Sequence, residues 1–344
     1  LGPRVAICAG MILSALASLA FGIFPFIGVL VIGMTLNGLF QSTGWPNTCK
    51  VVSTWVAHDK RGRVMGFWLT CYVFGSLLAN ILAGYLLGNY GWRHVFLVTG
   101  GIVLVVGVIQ GLFLINKPED RGFRIPRRDD GDADAPTPDG DAKQGFALMI
   151  RHPAILLLGF AYTGLKFMRY TFFAWLPYYL ATSVMFSGED SAYVSNGLEI
   201  GGVIGLIIGG LLADKYFSKN RTRLGFYSLF ALIGSLFLYL QISQGGGFWQ
   251  NALGLSLIGF FLYICDSIIA GTVAQDIGGP ENSASAAGII NGIGSLAQPL
   301  AGFLPIMIKK AWGWDAVFYS FIIVALISAL ILLPVARQKQ LGNN

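Results

Sequence analysis

Charge is what this 344-residue chain has least of: 23 Lys or Arg and 17 Asp or Glu make up 12% of it, against 55% hydrophobic residues. So few polar groups cannot cover even two water-soluble domains, which argues against a soluble enzyme. Cysteine and histidine are scarce too. The four cysteines, Cys8, Cys49, Cys71 and Cys265, are scattered through apolar stretches, and His58, His94 and His152 sit near the ends of such stretches. Neither set has the spacing of metal ligands, so no metal, cofactor or catalytic constellation is expected. Glycine-rich stretches such as Gly201-Gly202 lack the preceding strand that a nucleotide fingerprint needs, and they read as places of close helix packing.

What the chain does have is apolar runs of about twenty residues, the length that crosses a hydrocarbon layer as a helix. Ten of them are readable: Val5 to Phe24, Phe26 to Trp55, Val64 to Gly88, Trp92 to Ile115, Ala154 to Thr182, Tyr193 to Leu212, Leu224 to Ile242, Phe248 to Ala274, Ala284 to Ile308 and Ala316 to Val335. A lipid-facing backbone must satisfy its own hydrogen bonds, so these runs predict helices; barrel strands would be shorter and would alternate in polarity. The expected class is an all-α membrane protein whose surroundings are the lipid bilayer.

Basic residues are nearly missing from one side. Numbering the connections alternately places Arg4, Lys60, Arg61, Arg63, seven between Lys117 and Arg151, four between Lys215 and Arg223, Arg337 and Lys339 on one face. Only Arg93, Lys309 and Lys310 fall on the other. The basic-loop rule makes the first face cytoplasmic, with both ends of the chain on it. The net charge of +6 is then a topology signal, and no nucleic acid is implied. From Asn116 to Gln144 the chain is too polar to fold alone, with Arg121, Arg124, Arg127 and Arg128 followed by six aspartates. It reads as a cytoplasmic linker. The expected organisation is a four-helix bundle over residues 1–115, a linker over 116–152 and a six-helix bundle over 153–344.

An internal repeat accounts for the unequal halves. Gly75-Ser76-Leu77, Ala83-Gly84 and Gly91-Trp92-Arg93-His94-Val95-Phe96 are echoed by Gly294-Ser295-Leu296, Ala301-Gly302 and Gly313-Trp314-Asp315-Ala316-Val317-Phe318, six spans later. A six-helix repeat is the plan of major facilitator transporters, two pseudo-symmetric bundles with the substrate near mid-membrane. Ten of the fold's twelve helices are then expected here, with two more ahead of Val5. Leu1-Gly2-Pro3-Arg4 has neither an initiator methionine nor a signal leader, and it looks like the tail of a first-half copy of the loop Asp214, Lys215, Arg221 and Arg223.

The segment Gln41-Ser42-Thr43-Gly44-Trp45-Pro46 with Lys50, Trp55 and Lys60-Arg61-Gly62 resembles the fourth-helix signature of the organophosphate:phosphate antiporter family. Arg169-Tyr170 with Trp175, Pro177 and Tyr179, and Glu199 ahead of Gly201-Gly202, resemble it too, and the stretch from Lys166 to Leu180 is similar to the eukaryotic sugar-phosphate exchangers and plant glycerol-3-phosphate permeases. This resemblance implies a secondary transporter exchanging an organic phosphate, glycerol-3-phosphate or a hexose phosphate, for inorganic phosphate by alternating access, with basic side chains holding the phosphoryl group. A monomer is expected. The loop of Asp214, Lys215, Arg221 and Arg223 resembles the superfamily's loop in which an acid and several bases tie helix ends together. Two other functions remain open: coupled uptake of another organic anion driven by protons or cations, and a transporter-like sensor of sugar phosphates. No organelle address is readable, so endoplasmic reticulum and plasma membrane both stay open.

The residues make their own case for a site. An ionised side chain at mid-depth costs roughly 2.5 to 3.5 kcal/mol on insertion scales, so it normally has a partner or a water-filled cavity. Lys166 and Arg169 lie within one span, three residues apart and therefore on one helix face. Two adjacent cations suit a multiply charged anion, guanidinium offering a bidentate fork and ammonium a point charge. Alternatively Glu199 and Asp266, the acids within spans, neutralise the pair; Asp266 is either a counter-ion for Arg169 or a proton-coupling group. Lys50 either joins the site or snorkels to the interface. Tyr72 stands where some bacterial members carry a histidine, and its hydroxyl can still donate to phosphate. Tyr162 and Trp175 are packing aromatics or substrate contacts.

Overall fold

A computed structural model describes residues 2–24, 26–123 and 142–339, which form helices and connecting turns with no strand among them. The α-helices are α1 (Pro3–Ile23), α2 (Ile27–Gln41), α3 (Gly44–Trp55), α4 (Arg61–Tyr90), α5 (Trp92–Phe113), α6 (Ala142–Arg151), α7 (Pro153–Thr182), α8 (Gly188–Tyr216), α9 (Thr222–Ile242), α10 (Phe248–Ser267), α11 (Val273–Ser295), α12 (Gln298–Trp312) and α13 (Trp314–Ala336). A π-helical turn, Ile268–Thr272, joins α10 to α11.

Seven stretches among the described residues are long and apolar enough to cross a membrane, or eight if a bent helix pair is one span. One of them, Phe248–Trp312, runs for 65 residues, about three times what a single crossing needs. It is interrupted at Gly279, where φ is 58° and ψ −171°, a backbone conformation essentially confined to glycine. Two of the expected spans lie within it. Large apolar side chains face outward throughout: Phe67, Phe113, Phe173 and Trp312 are each at least three-quarters exposed. An apolar surface this extensive is a lipid-facing one.

The chain divides into two compact units, Leu1–Ala57 with Cys71–Thr137, and His58–Thr70 with Pro138–Asn344. In the first, α1 is the central element and packs on α5, α2 and α3. Small residues set the approach: a Cβ on Gly100 would lie 3.2 Å from the Ala15 carbonyl oxygen, and one on Gly107 3.2 Å from the Met11 Cβ. In the second, α7 packs on both α11 and α13, and α8 on α10. Ser328 of α13 donates to the Ala161 carbonyl at 3.0 Å, beside Gly164, whose missing side chain leaves room for Ser328 and Val324.

The repeated Gly-Trp pair has a backbone reason. Gly91 and Gly313, the residues before α5 and α13, have φ of 83° and 84° with ψ of 168° and 177°. Only glycine is comfortable there, so both halves turn tightly into the next helix at the same motif.

Three expectations about boundaries change. The run Phe26 to Trp55 stays one stretch long enough to cross, Ile27–Trp55, but it is built of two helices, because Ser42 Oγ and Thr43 Oγ1 bond back to the carbonyls of Leu39 and Phe40 at 2.7 and 2.9 Å just before Pro46. The run Ala284 to Ile308 breaks at Leu296-Ala297, ahead of Pro299 in the first turn of α12. The linker ends in a helix: α6 is amphipathic, with Gly145 and Met149 buried and Gln144 and Arg151 exposed, and it meets α7 at a bend of 70°. A proline at the start of α7 suits that turn. The basic and acidic runs from Arg124 to Asp141 lie outside the described residues.

Candidate functional site

The polar centre of the second unit is built on α7. Lys166 is 6% exposed, and its ammonium donates to Asn291 Oδ1 at 2.7 Å, to Ser295 Oγ at 2.7 Å and to the Asn291 carbonyl at 3.4 Å. One helical turn along, Arg169 Nη1 donates to Asp266 Oδ2 at 2.8 Å. The other carboxylate oxygen of Asp266 accepts the Tyr162 hydroxyl at 2.8 Å. Rings complete the enclosure. The Arg169 guanidinium lies 4.6 Å from the centre of the Tyr263 ring, and the Lys166 ammonium 5.2 Å from that of Tyr162. Both are within cation–π range. The Tyr263 hydroxyl donates to Glu199 Oε2 at 2.6 Å, so Glu199 reaches the cluster through Tyr263.

The two cations are therefore not equivalent. Arg169 has a carboxylate, whereas Lys166 is held by neutral oxygens. Of the two acids, Asp266 contacts Arg169, and among the described residues no carboxylate contacts Lys166. Exposure differs as well: the Arg169 side chain keeps 26%, its Asp266 partner 7%.

Local sequence explains the arrangement. Spacing of three puts Lys166 and Arg169 on one face of α7, and spacing of four puts Tyr162 beneath Lys166. On α10 a spacing of three aligns Tyr263 with Asp266, just before the π-helical turn. Such turns recur at functional sites because they re-aim side chains within a helix. On α11, Asn291 and Ser295 are one turn apart, and Ser295 Oγ also donates to the Asn291 carbonyl at 2.8 Å. Gly294 gives the Tyr162 ring its place: a Cβ there would lie 3.2 Å from Tyr162 Cγ and closer still to Cδ1.

Of the sequence-derived candidates, Lys166, Arg169, Tyr162 and Asp266 come together, with Glu199 behind Tyr263. Trp175 is committed elsewhere, its indole donating to the Ala301 carbonyl at 3.1 Å. Lys50 and Tyr72 belong to the first unit, Lys50 half-buried in α3 and Tyr72 partly exposed with its ring 6.2 Å from Trp45. Tyr263, Asn291 and Ser295 escaped the sequence reading. Ser295 stands in the repeated Gly-Ser-Leu motif, and Asn291 is a polar residue one turn earlier in an apolar run. Those are the signals that could have found them.

A second cluster ties helix ends. Asp214 accepts the backbone N–H of Gly62 at 2.9 Å and of Arg63 at 2.7 Å, placing a carboxylate on the positive end of α4. It also accepts Arg221 Nη2 at 2.9 Å, while Arg221 Nη1 donates to both oxygens of Asp276 at 2.8 Å. Burial pushes the Arg221 guanidinium down and Asp276 and Asp214 outweigh it, holding it above its ordinary value. Arg61 Nη1 lies 4.0 Å from Asp276. Gly62 must be glycine here, since a Cβ would lie 2.6 Å from Asp214 Oδ1. Arg223 instead caps the end of α13, donating to the carbonyls of Ala336 and Gln338 at 3.0 and 3.1 Å. Lys215 lies over the ring of Tyr216.

Comparison with known proteins agrees with this architecture. Sugar phosphate exchanger 3 of Xenopus laevis is 29% identical over 87% of the chain, which spans 65% of that relative's length. Putative glycerol-3-phosphate transporter 5 of Arabidopsis thaliana is 29% identical over 96% of the chain and 73% of its own length. Among solved structures, the E. coli fucose:proton symporter superposes with a TM-score of 0.69 at 13% identity, covering 97% of this chain and 83% of that one. At that identity the likeness concerns the fold. Residues 1–302 match the Major Facilitator Superfamily, and the chain belongs to that superfamily as a multi-pass membrane protein.

Proposed function

We propose that this chain carries out, with whatever further segments its full protein has, exchange of an organic phosphate for inorganic phosphate by alternating access. The observation that carries the reading is the pairing of Lys166 and Arg169 on one face of α7, two cations of which Arg169 contacts a carboxylate and Lys166 neutral oxygens. A phosphoryl group is matched to them by charge and by its several acceptor oxygens. The names of its relatives, a sugar phosphate exchanger and a putative glycerol-3-phosphate transporter, favour the same substrate class. Glycerol-3-phosphate and hexose phosphates are the candidate substrates. Arg169 and Lys166 hold the phosphoryl group, and Tyr162 supports them. The protein acts as a monomer with both chain ends cytoplasmic, on the bias of its basic loops.

Counterflow in proteoliposomes tests this with the protein as its source cell makes it. Uptake of labelled glycerol-3-phosphate or glucose-6-phosphate is expected only when the vesicles contain inorganic phosphate. Uptake that ignores internal phosphate and follows a proton gradient would replace the proposal with coupled anion uptake, and binding without flux would make the protein a sensor.

A further inference from the structure

Arg169 is already occupied by an anion that belongs to the protein. Asp266 bonds its Nη1 at 2.8 Å, and the Arg169 side chain keeps the greater exposure of the two. Lys166, by contrast, is bonded to an amide oxygen, a hydroxyl and a backbone carbonyl. An arriving anion therefore meets one cation already engaged by a carboxylate and one engaged by neutral groups.

We infer that Asp266 is an internal competitor that makes the site select doubly charged phosphoryl groups over carboxylates; the inference rests on the exchange reading above. A monocarboxylate brings Arg169 the same chemical group that Asp266 already presents. Asp266, tethered beside the guanidinium, has the higher effective concentration. A phosphate monoester carries a charge near −1.5 to −2 at pH 7 and three strong acceptor oxygens, so it engages Arg169 and Lys166 together where one carboxylate cannot. The displaced carboxylate keeps a partner, because the Tyr162 hydroxyl stays on its other oxygen. Without that hydroxyl the released, buried Asp266 would be left with an unsatisfied charge, and displacement would cost more.

The two side chains thus predict opposite effects. Equilibrium binding of labelled orthophosphate, with acetate as competitor, is measured on the purified protein in lipid nanodiscs. Asp266→Asn is expected to raise acetate affinity by about tenfold or more, the low end of one charge-assisted hydrogen bond. Phosphate gains less, so the phosphate-to-acetate preference falls. Asp266→Glu retains the preference. Tyr162→Phe lowers phosphate affinity, by about fivefold on the same scale, and is readable even if Asp266→Asn does not fold. An unchanged preference in Asp266→Asn, or unchanged or tighter phosphate binding in Tyr162→Phe, overturns the inference. A wild-type protein that binds neither orthophosphate nor a sugar phosphate refutes the exchange reading instead, and a gain of acetate binding in Asp266→Asn would then still support internal competition.

Discussion

The contact between α8 and α10 offers a test of the fold whose size can be worked out. Gly197, Gly201 and Gly205 of α8 lie against the backbone of Ala252, Ser256 and Phe260. A Cβ on Gly201 would stand 2.5 Å from the Ser256 carbonyl carbon and 2.6 Å from its Cα; one on Gly205 would stand 2.9 Å from the Phe260 Cα. Carbon atoms rest about 3.5 to 4.0 Å apart, so Gly201→Ala requires roughly 1 Å of separation between two helix backbones. Backbone atoms have no alternative rotamer, which puts the cost at the upper end of overpacking, about 3 kcal/mol. Better helix propensity returns about 1 kcal/mol. The net loss of about 2 kcal/mol is roughly a thirtyfold shift of the unfolding equilibrium. Gly234→Ala in α9 is the control, because that glycine is exposed with nothing within 4 Å and gains propensity alone. Thermal unfolding in one detergent, followed by tryptophan fluorescence, should place Gly201→Ala clearly below wild type and Gly234→Ala at or above it. If the two alanine variants unfold together, the close approach of α8 and α10 does not exist.

The helical membrane class was legible because lipid imposes a length and a composition on every crossing. The repeat was legible because Gly91 and Gly313 meet the same backbone demand, φ near 84° at the entry to a helix. Breaks inside the runs were not. Ser42, Thr43 and Leu296 look ordinary in an apolar window, and what interrupts the helix there is hydroxyl back-bonding or a following proline, neither of which changes hydropathy. The helix α6 was missed for a related reason. It is a short amphipathic segment at the edge of a charged linker, where Phe146, Leu148 and Ile150 are too few to register as a run.

For the site, charge in an apolar span was a sufficient signal for Lys166, Arg169, Glu199 and Asp266, since each is too costly to place without a use. Their pairing was not legible. Which acid reaches Arg169 depends on the rotation of α10 about its axis, and the π-helical turn after Asp266 is a backbone feature without a sequence signature of its own. Neutral partners are harder still. Asn291 and Ser295 are cheap to bury and common in packed membrane helices, so nothing in the sequence separates a ligand for Lys166 from a residue at a helix contact.

Three further outcomes are expected. Arg169→Ala should abolish phosphate exchange in proteoliposomes, and Arg169→Lys should lose most of it because the fork and the contact with Tyr263 both go; normal exchange in Arg169→Ala at normal expression would remove this residue from the site. Lys166→Ala should be milder, raising the phosphate concentration needed for half-maximal exchange; loss of all flux at saturating phosphate would show that it does more than attract the anion. The last concerns Arg221, which is fully buried and serves Asp276 with one nitrogen and Asp214 with another. Arg221→Ala leaves two buried carboxylates without it, and breaking a buried ion pair in this way costs about 3 to 5 kcal/mol. Asp214 retains the N–H groups of Gly62 and Arg63 and the end of α4, and Asp276 retains Arg61 at 4.0 Å. Replacing both partners, Arg221→Leu with Asp276→Leu, removes both charges of the pair and fills the space with apolar atoms, an exchange that is often close to neutral for buried pairs. The double variant should therefore unfold nearer to wild type than Arg221→Ala does. If it is no better than the single variant, the ion pair itself stabilises these helix ends, and charge satisfaction is not what the network supplies.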